Sequence, residues 1–250
     1  MRDDLSPFRP SRFFPPAESA NRYGVVAVGG TLHPEVLLDA YAHGIFPWPI
    51  DEDSPIVWAS PGTRAIFEWE HIHIPHRLRP IIKRGDFQIT VDRDFSAVIR
   101  GCATANGRAG ATWITPAMIE AYTHLHELGY AHSVEAWKAD ELAGGVYGVA
   151  LRGLFAAESM FYRISNASKV ALLYLLAHLK ARGYLLVDIQ MLTPVTQSLG
   201  ARTIRRRQYL YRLAEALRAN VTFGTTLEVT AADVLALDET YRPSSEPNTG

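Results

Sequence analysis

The spacing of apolar and polar residues predicts a chain in which strands and helices alternate. Residues 25–28 form a short apolar run that breaks at Gly29-Gly30, and Pro34 at a first helical position opens a helix that Gly44 closes. Ile45-Phe46-Pro47-Trp48-Pro49 follows, held extended because proline disfavours helical backbone in the residue before it. Residues 1–22, rich in proline and arginine, are expected to be irregular and to lean on the body through Phe8, Phe13 and Phe14. The turn at Trp58-Ala-Ser60-Pro61-Gly62 places a boundary between a small N-terminal domain, residues 1–61, and a main domain, residues 62–224.

In the main domain, residues 65–69 and 87–91 read as strands flanking a basic, helix-like segment at 76–83, and Phe95, Val98, Ile99 and Cys102 recur at helical spacing. A glycine-containing loop at 106–110 leads to Thr115 and Pro116, an N-cap and first residue for a helix over 117–128. The period then drops to two. Residues 132–137, 142–151 and 154–161, joined by short turns, predict an antiparallel meander. Asn166-Ala-Ser168 is the expected cap of an apolar helix over 170–180, and a basic helix covers about 205–219. Residues 225–250 read as peripheral, with a short helix after Thr230 and a loose end after Arg242. The expected class is α/β in the α+β sense: a small α/β unit plus a mixed, largely antiparallel sheet with helices against it.

Residues 183–191 carry the most pointed pattern. If they form a buried strand, Tyr184, Leu186, Asp188 and Gln190 share one face, while Leu185, Val187, Ile189 and Met191 share the other, with Ile189 facing the core. A carboxylate at the end of an apolar strand costs free energy unless it is hydrogen-bonded or solvated. Asp188 therefore has either a structural partner, such as a backbone group or an arginine, or a functional role. By the same alternation Glu158 and Met160 share a strand face.

Composition narrows the classes. With 250 residues, 48% hydrophobic and 20% charged, the chain can bury a full core, and its net charge of -1 conceals basic stretches at 76–84 and 202–218 and an acidic stretch at 228–246. The single cysteine, Cys102, excludes an internal disulfide and a cysteine-rich zinc site. The charged, proline-broken N-terminus lacks the apolar core of a signal peptide, and no apolar run approaches the ~18 residues of a membrane span, so a reducing cytoplasm and no membrane are expected. Nine histidines invite a metal, but His71/His73 and His124/His126 lack ligand spacing, and no metal site is expected. Gly29-Gly30 and Gly144-Gly145 fit neither a dinucleotide fingerprint nor a P-loop. The meander, helix and strand order is compatible with an acyltransferase fold of the GNAT type. A coenzyme A site there needs closely spaced glycines before the helix, and residues 162–168 contain none, so the acyl donor is expected not to be coenzyme A, and no cofactor is expected.

Several blocks, in order from about residue 24 to 213, are specific enough to name a family. Val25-Val-Ala-Val-Gly-Gly-Thr-Leu, Ala40-Tyr-Ala-His-Gly-Ile-Phe-Pro-Trp48, Thr112-Trp-Ile-Thr-Pro-Ala-Met118, Leu125-His-Glu-Leu-Gly-Tyr-Ala-His-Ser133, Gly145-Val-Tyr-Gly-Val-Ala150, Glu158-Ser-Met-Phe161, Asn166-Ala-Ser-Lys169, Asp188-Ile-Gln190 and Ser198-Leu-Gly-Ala201 together resemble leucyl/phenylalanyl-tRNA–protein transferases. The resemblance implies a small N-terminal domain on a GNAT-like domain. It implies a cytoplasmic enzyme moving Leu or Phe, with Met a further candidate, from aminoacyl-tRNA to the α-amino group of proteins beginning with Arg or Lys, creating a degradation signal. It implies Asp188, Gln190 and Glu158 as catalytic residues, and Trp48, Trp113, Tyr122, Val146, Phe155, Ser159, Met160 and Thr196 as substrate-binding residues. Arg77, Arg79, Lys83 and Arg84 would meet the tRNA acceptor stem, and a monomer is expected. The alternatives are another GNAT-like acyltransferase, with an acyl-CoA or aminoacyl-tRNA donor and a small acceptor, or a non-catalytic tRNA-end binding protein. The chain departs from the family at Ile189, where Cys is usual, at Val195, where His is frequent, at Val146, smaller than the usual Met or Leu, and at His33, a poorer N-cap than Ser.

Overall fold

The computed structural model describes residues 10–48, 53–105 and 112–240. Phe8, the loop at 106–110 and the end after Arg242 lie outside the described residues. The N-terminal unit starts with β1 (Val25–Val28), α1 (Pro34–Ala42), β2 (Phe46–Pro47) and β3 (Val57–Ala59), whose strands make a three-stranded sheet in the order β1-β3-β2. Pro34 opens α1 as expected, and His33 offers no side-chain cap. Phe14 packs on Trp58 with ring centroids 4.7 Å apart, while Phe13 is exposed.

The chain then enters a larger sheet through β4 (Thr63–Phe67), α2 (Arg79–Arg84), β5 (Gln88–Val91), α3 (Phe95–Thr104) and α4 (Pro116–Glu127), the last capped by Thr115, which accepts from the Met118 N–H. The meander follows as β6 (Ala131–Lys138), β7 (Glu141–Leu151) and β8 (Leu154–Tyr162). Next come α5 (Ala167–Ala181), β9 (Leu186–Asp188), α6 (Pro194–Ser198), β10 (Arg202–Arg205), α7 (Arg206–Ala216) and α8 (Ala231–Leu235). The seven strands run in the order β10-β4-β9-β8-β7-β6-β5. Only β8 and β9, joined through α5, are parallel, so the sheet is mixed and largely antiparallel, as the period changes predict. Helices cover both faces, which is why every residue of β7 after Glu141 is buried. On one face Leu37, Tyr41 and Trp58 of the N-terminal unit share a core with Phe95, Ile99, Tyr122 and Tyr147; on the other, Leu172, Leu175 and Leu176 of α5 pack on Val146 and Phe155.

Four expectations are corrected. The strand beginning near Tyr184 is regular only over Leu186–Asp188, because Gln190 adopts φ 53° and ends the alternation. The basic helix expected over about 205–219 spans Arg206–Ala216, and residues 202–205 ahead of it form a strand that pairs antiparallel with β4 from Arg202↔Ile66 to Arg205↔Thr63. The helix after residue 166 begins at Ala167, with Asn166 in a left-handed conformation and giving no side-chain cap. The segment from 225 to 240 is packed rather than peripheral: Val234, Leu235 and Leu237 join the core, and buried Asp238 accepts from the Ile74 N–H at 2.8 Å.

Candidate active site

A cleft forms where the two parallel strands part. β8 and β9 pair at Leu154↔Leu186, Phe155↔Val187 and Ala156↔Asp188; beyond that point β8 runs on while the other chain turns away at Gln190. The turn has a local cause. The Asp188 side chain accepts from the N–H two residues on, Gln190 N to Oδ1 at 2.9 Å, and the Met191 N–H reaches the Ile189 carbonyl at 2.5 Å. The resulting space, about 420 Å³, has β8, the start of α5 and residues 189–196 as walls, and Phe46, Pro47, Trp48 and Trp113 at its aromatic side.

A bulge in β8 shapes the base of the cleft. Tyr147 pairs with Ser159 and Gly148 with Ala157, so Glu158 is the extra residue and has no partner on β7. A Cβ at Gly148 would lie 2.3 Å from the Ala156 carbonyl oxygen, so the close approach opposite the bulge requires glycine there. Because of the bulge, Glu158 and Met160 do not share a face as alternation predicted. Glu158 turns toward Tyr122, whose hydroxyl lies 3.4 Å from Oε2, whereas Met160 packs with the α5 core.

Asp188 is fully buried, and its oxygens are occupied. Arg64 donates from Nε to Oδ1 at 2.9 Å and from Nη2 to Oδ2 at 2.6 Å, and the Tyr209 hydroxyl donates to Oδ2 at 2.8 Å. Arg64 also donates to the Gly44 carbonyl at 3.0 Å and lies between the Phe46 and Tyr209 rings at 4.5 and 4.4 Å. Burial alone would lower the Arg64 pKa, but Asp188 and then Tyr209 outweigh it and hold the guanidinium charged. Of the two roles left open for Asp188, the arginine pair is thus present, and it fixes the backbone of Gln190 at the same time.

Glu158 faces this network from the cleft side. Gln190 donates from Nε2 to Glu158 Oε1 at 2.7 Å. Behind it, the Tyr122 and Tyr41 hydroxyls lie 2.5 Å apart. Burial pushes the Glu158 carboxyl up; the Tyr41 hydrogen bond opposes this, the Asp188 charge adds to it, and the balance is about 8. The site therefore pairs a carboxyl able to exchange a proton near neutrality with a fixed amide, beside an apolar wall that includes Val146, Met160 and Leu172.

A family model described as leucyl/phenylalanyl-tRNA protein transferase matches residues 66–214, and a model of that family's N-terminal domain matches residues 30–62. The chain is 49% identical over 203 residues, 81% of its length and 86% of the relative's, to the leucyl/phenylalanyl-tRNA–protein transferase of Syntrophobacter fumaroxidans. The same-named protein of Stutzerimonas stutzeri is 45% identical over 215 residues, 85% of this chain and 92% of its own. That of Chromohalobacter salexigens is 44% identical over 239 residues, 95% and 93% of the two chains. The chain belongs to the leucyl/phenylalanyl-tRNA protein transferase family.

Of the residues that resemblance to this family singled out, Trp48, Trp113, Val146, Glu158, Ser159, Met160, Gln190 and Thr196 line the cleft. Asp188, Tyr122 and Phe155 do not: Asp188 and Tyr122 stand behind the lining, and Phe155 packs in the core against Phe223, ring centroids 5.5 Å apart. Ile189, expected to face the core, lines the cleft as well as touching the core, because the turn at Gln190 rotates it outward. Val195 lines it too, so the family's frequent His is replaced by an apolar surface inside the site. The basic residues lie outside the cleft: Arg77, Lys83 and Arg84 are exposed, Arg84 pairs with Asp86 at 2.7 Å, and Arg79 is tied to Asp238 at 3.1 Å.

Sequence reasoning missed Arg64, Tyr41 and Tyr209. Arg64 carried the same signal as Asp188, a charge inside an apolar strand, and the two signals answer each other. It also missed a trio brought together by the fold, Asp92, His126 and His132, whose nitrogen and oxygen atoms lie within 4.8 Å of one another. Their bonds are already internal, His132 Nδ1 to Asp92 Oδ2 at 2.7 Å and His126 Nδ1 to the Ala131 carbonyl at 2.8 Å, and none of the three lines the cleft.

Proposed function

We propose that the cleft transfers a leucyl or phenylalanyl group, with methionyl a further candidate, from its tRNA to the α-amino group of a protein that begins with Arg or Lys. The observation that carries this reading is Glu158, its carboxyl near 8, hydrogen-bonded to Gln190 at the base of an apolar cleft rimmed by Trp48 and Trp113. The terminal adenine stacks on the tryptophans, since every base offers a π-face to an aromatic platform. The donor side chain lies against Val146, Met160 and Ile189, where the small Val146 leaves room for more than one apolar residue.

The reaction is ester aminolysis. The amine nitrogen bonds to the ester carbonyl carbon, the carbon–oxygen bond to the ribose breaks, and the ribose hydroxyl takes up a proton. An α-amino group has a pKa of about 7.7–8.0, so a carboxyl near 8 takes its proton at almost no free-energy cost. In its ionised form, before it takes that proton, the carboxylate attracts the cationic side chain of the acceptor's first residue. Gln190 keeps one N–H for the developing oxyanion while the other holds Glu158. Asp188, sequestered behind them, acts as a positioning residue.

The loop before α5 supports a donor other than coenzyme A, because the N–H groups of Arg163 and Ile164 are both spent on the Ala143 carbonyl, at 2.7 and 3.1 Å. Exposed Arg77, Lys83 and Arg84 suit the acceptor stem, and the protein works as a cytoplasmic monomer whose products are marked for degradation. The test is transfer of labelled Leu or Phe from its tRNA to a peptide beginning with Lys, beside an acetyl-CoA control. Label should reach the peptide and vanish when RNase precedes the enzyme; no transfer from either tRNA would refute the reading.

A further inference from the structure

Lys169 sits where a lysine is hardest to account for. From Ala167 to Leu179, α5 is buried at every position except Lys169, which lines the cleft. It is the one cation among the described lining residues, as Glu158 is the one acid. It lies in the first turn of a helix, where the backbone N–H groups disfavour positive charge, and no acidic residue shares that turn. Partial burial and then the charge of Arg77 both act against its protonated form. Among the described residues neither Lys169 nor Arg77 has a hydrogen bond or an ion pair, although Arg64, Arg79, Arg84 and Arg212 all have carboxylate partners. A bound anion would relieve the burial, the helix end and the repulsion together.

We propose that Lys169, with Arg77 beside it, binds the phosphate on the 5′ side of the donor RNA's terminal adenosine. This rests on the aminoacyl-tRNA reading of the cleft. With the adenine on Trp48 and Trp113 and the acyl group on the apolar wall, that phosphate is the only fixed negative charge within one nucleotide of the reacting ester. An ammonium on a flexible stem meets it as a point charge, which fixes the distance of the adenosine from Glu158 and Gln190 without reading sequence.

The experiment measures 3′-O-phenylalanyl adenosine, with and without a 5′-phosphate, as competitors of Phe-tRNA in transfer to a Lys-peptide. In the unaltered protein the phosphate should lower the inhibition constant about ten- to a hundredfold, the range of a charge-assisted hydrogen bond. Lys169→Gln should abolish that gain and leave the phosphate-free competitor within about twofold, and Lys169→Arg should keep most of it. The proposal is overturned if the phosphate gives no gain in the unaltered protein, if Lys169→Gln retains the gain, or if it weakens both competitors equally. Failure of Phe-tRNA transfer itself in the unaltered protein would instead overturn the cleft reading and this proposal with it.

Discussion

Arg64→Met tests whether the cleft floor is held by a buried ion pair. Both side chains are almost fully enclosed, with 2% and 0% exposure for Arg64 and Asp188, so removing the guanidinium strands a carboxylate with only the Tyr209 hydroxyl and the Gln190 N–H as donors. Breaking one side of such a pair costs about 3–5 kcal/mol, against a total stability of roughly 5–15 kcal/mol. Asp188→Asn alone leaves the guanidinium unpaired and should cost about 3 kcal/mol. An asparagine can still accept from the Gln190 N–H through its oxygen and donate from its amide nitrogen to the Tyr209 oxygen, so the double variant should fall short of the summed losses by about 2 kcal/mol or more. Urea unfolding of the four proteins at one pH measures this directly. Additivity to within about 0.5 kcal/mol would refute the pair as the organising contact. Arg64 also holds the Gly44 carbonyl and the Phe46 ring, so Arg64→Met should raise KM for the donor more than Asp188→Asn does, through loss of the Trp48 wall.

Glu158→Gln should change how stability depends on pH. The folded protein holds a proton on Glu158 up to about 8 that an unfolded glutamate releases near 4.5, so this group favours the fold at low pH and the contribution is lost as pH rises between those values. The variant should lack that decline, gaining on the unaltered protein as pH rises from about 4.5 to about 8 and keeping the gain above it; parallel curves of Tm against pH from 5 to 9 would count against a protonated Glu158. Gln190→Gly suits the φ of 53° and keeps the N–H bonded to Asp188, so stability should hold within about 1 kcal/mol while kcat falls about a hundredfold. Unchanged kcat in a folded Gln190→Gly protein would remove the amide from the chemistry.

Most regular elements could be read from the chain because their signals are local. Thr115 and Pro116 start a helix wherever the fold places it, and the drop to period two at residue 132 needs no distant partner. What failed depended on contacts between distant residues. Arg202-Thr-Ile-Arg205 has too few apolar positions to announce a strand and becomes one only through its register with β4. Arg64 and Asp188, 124 positions apart, each looked anomalous alone.

The two errors closest to the chemistry share one cause. Strict alternation placed Met160 beside Glu158 and continued a strand through Gln190, and at both points the real backbone leaves regular geometry, by a bulge at Glu158 and a left-handed residue at Gln190. Had both strands stayed regular, β9 would have kept pairing along β8 and the cleft would be closed. A left-handed glutamine costs of order 1–2 kcal/mol and a bulge leaves one residue without a cross-strand partner, so the fold keeps them only because Asp188 and Arg64 on one side, and Gly148 on the other, hold them in place. The amide and the carboxyl meet at 2.7 Å because both strands break there, which is also why period and propensity were poorest guides at the base of the cleft.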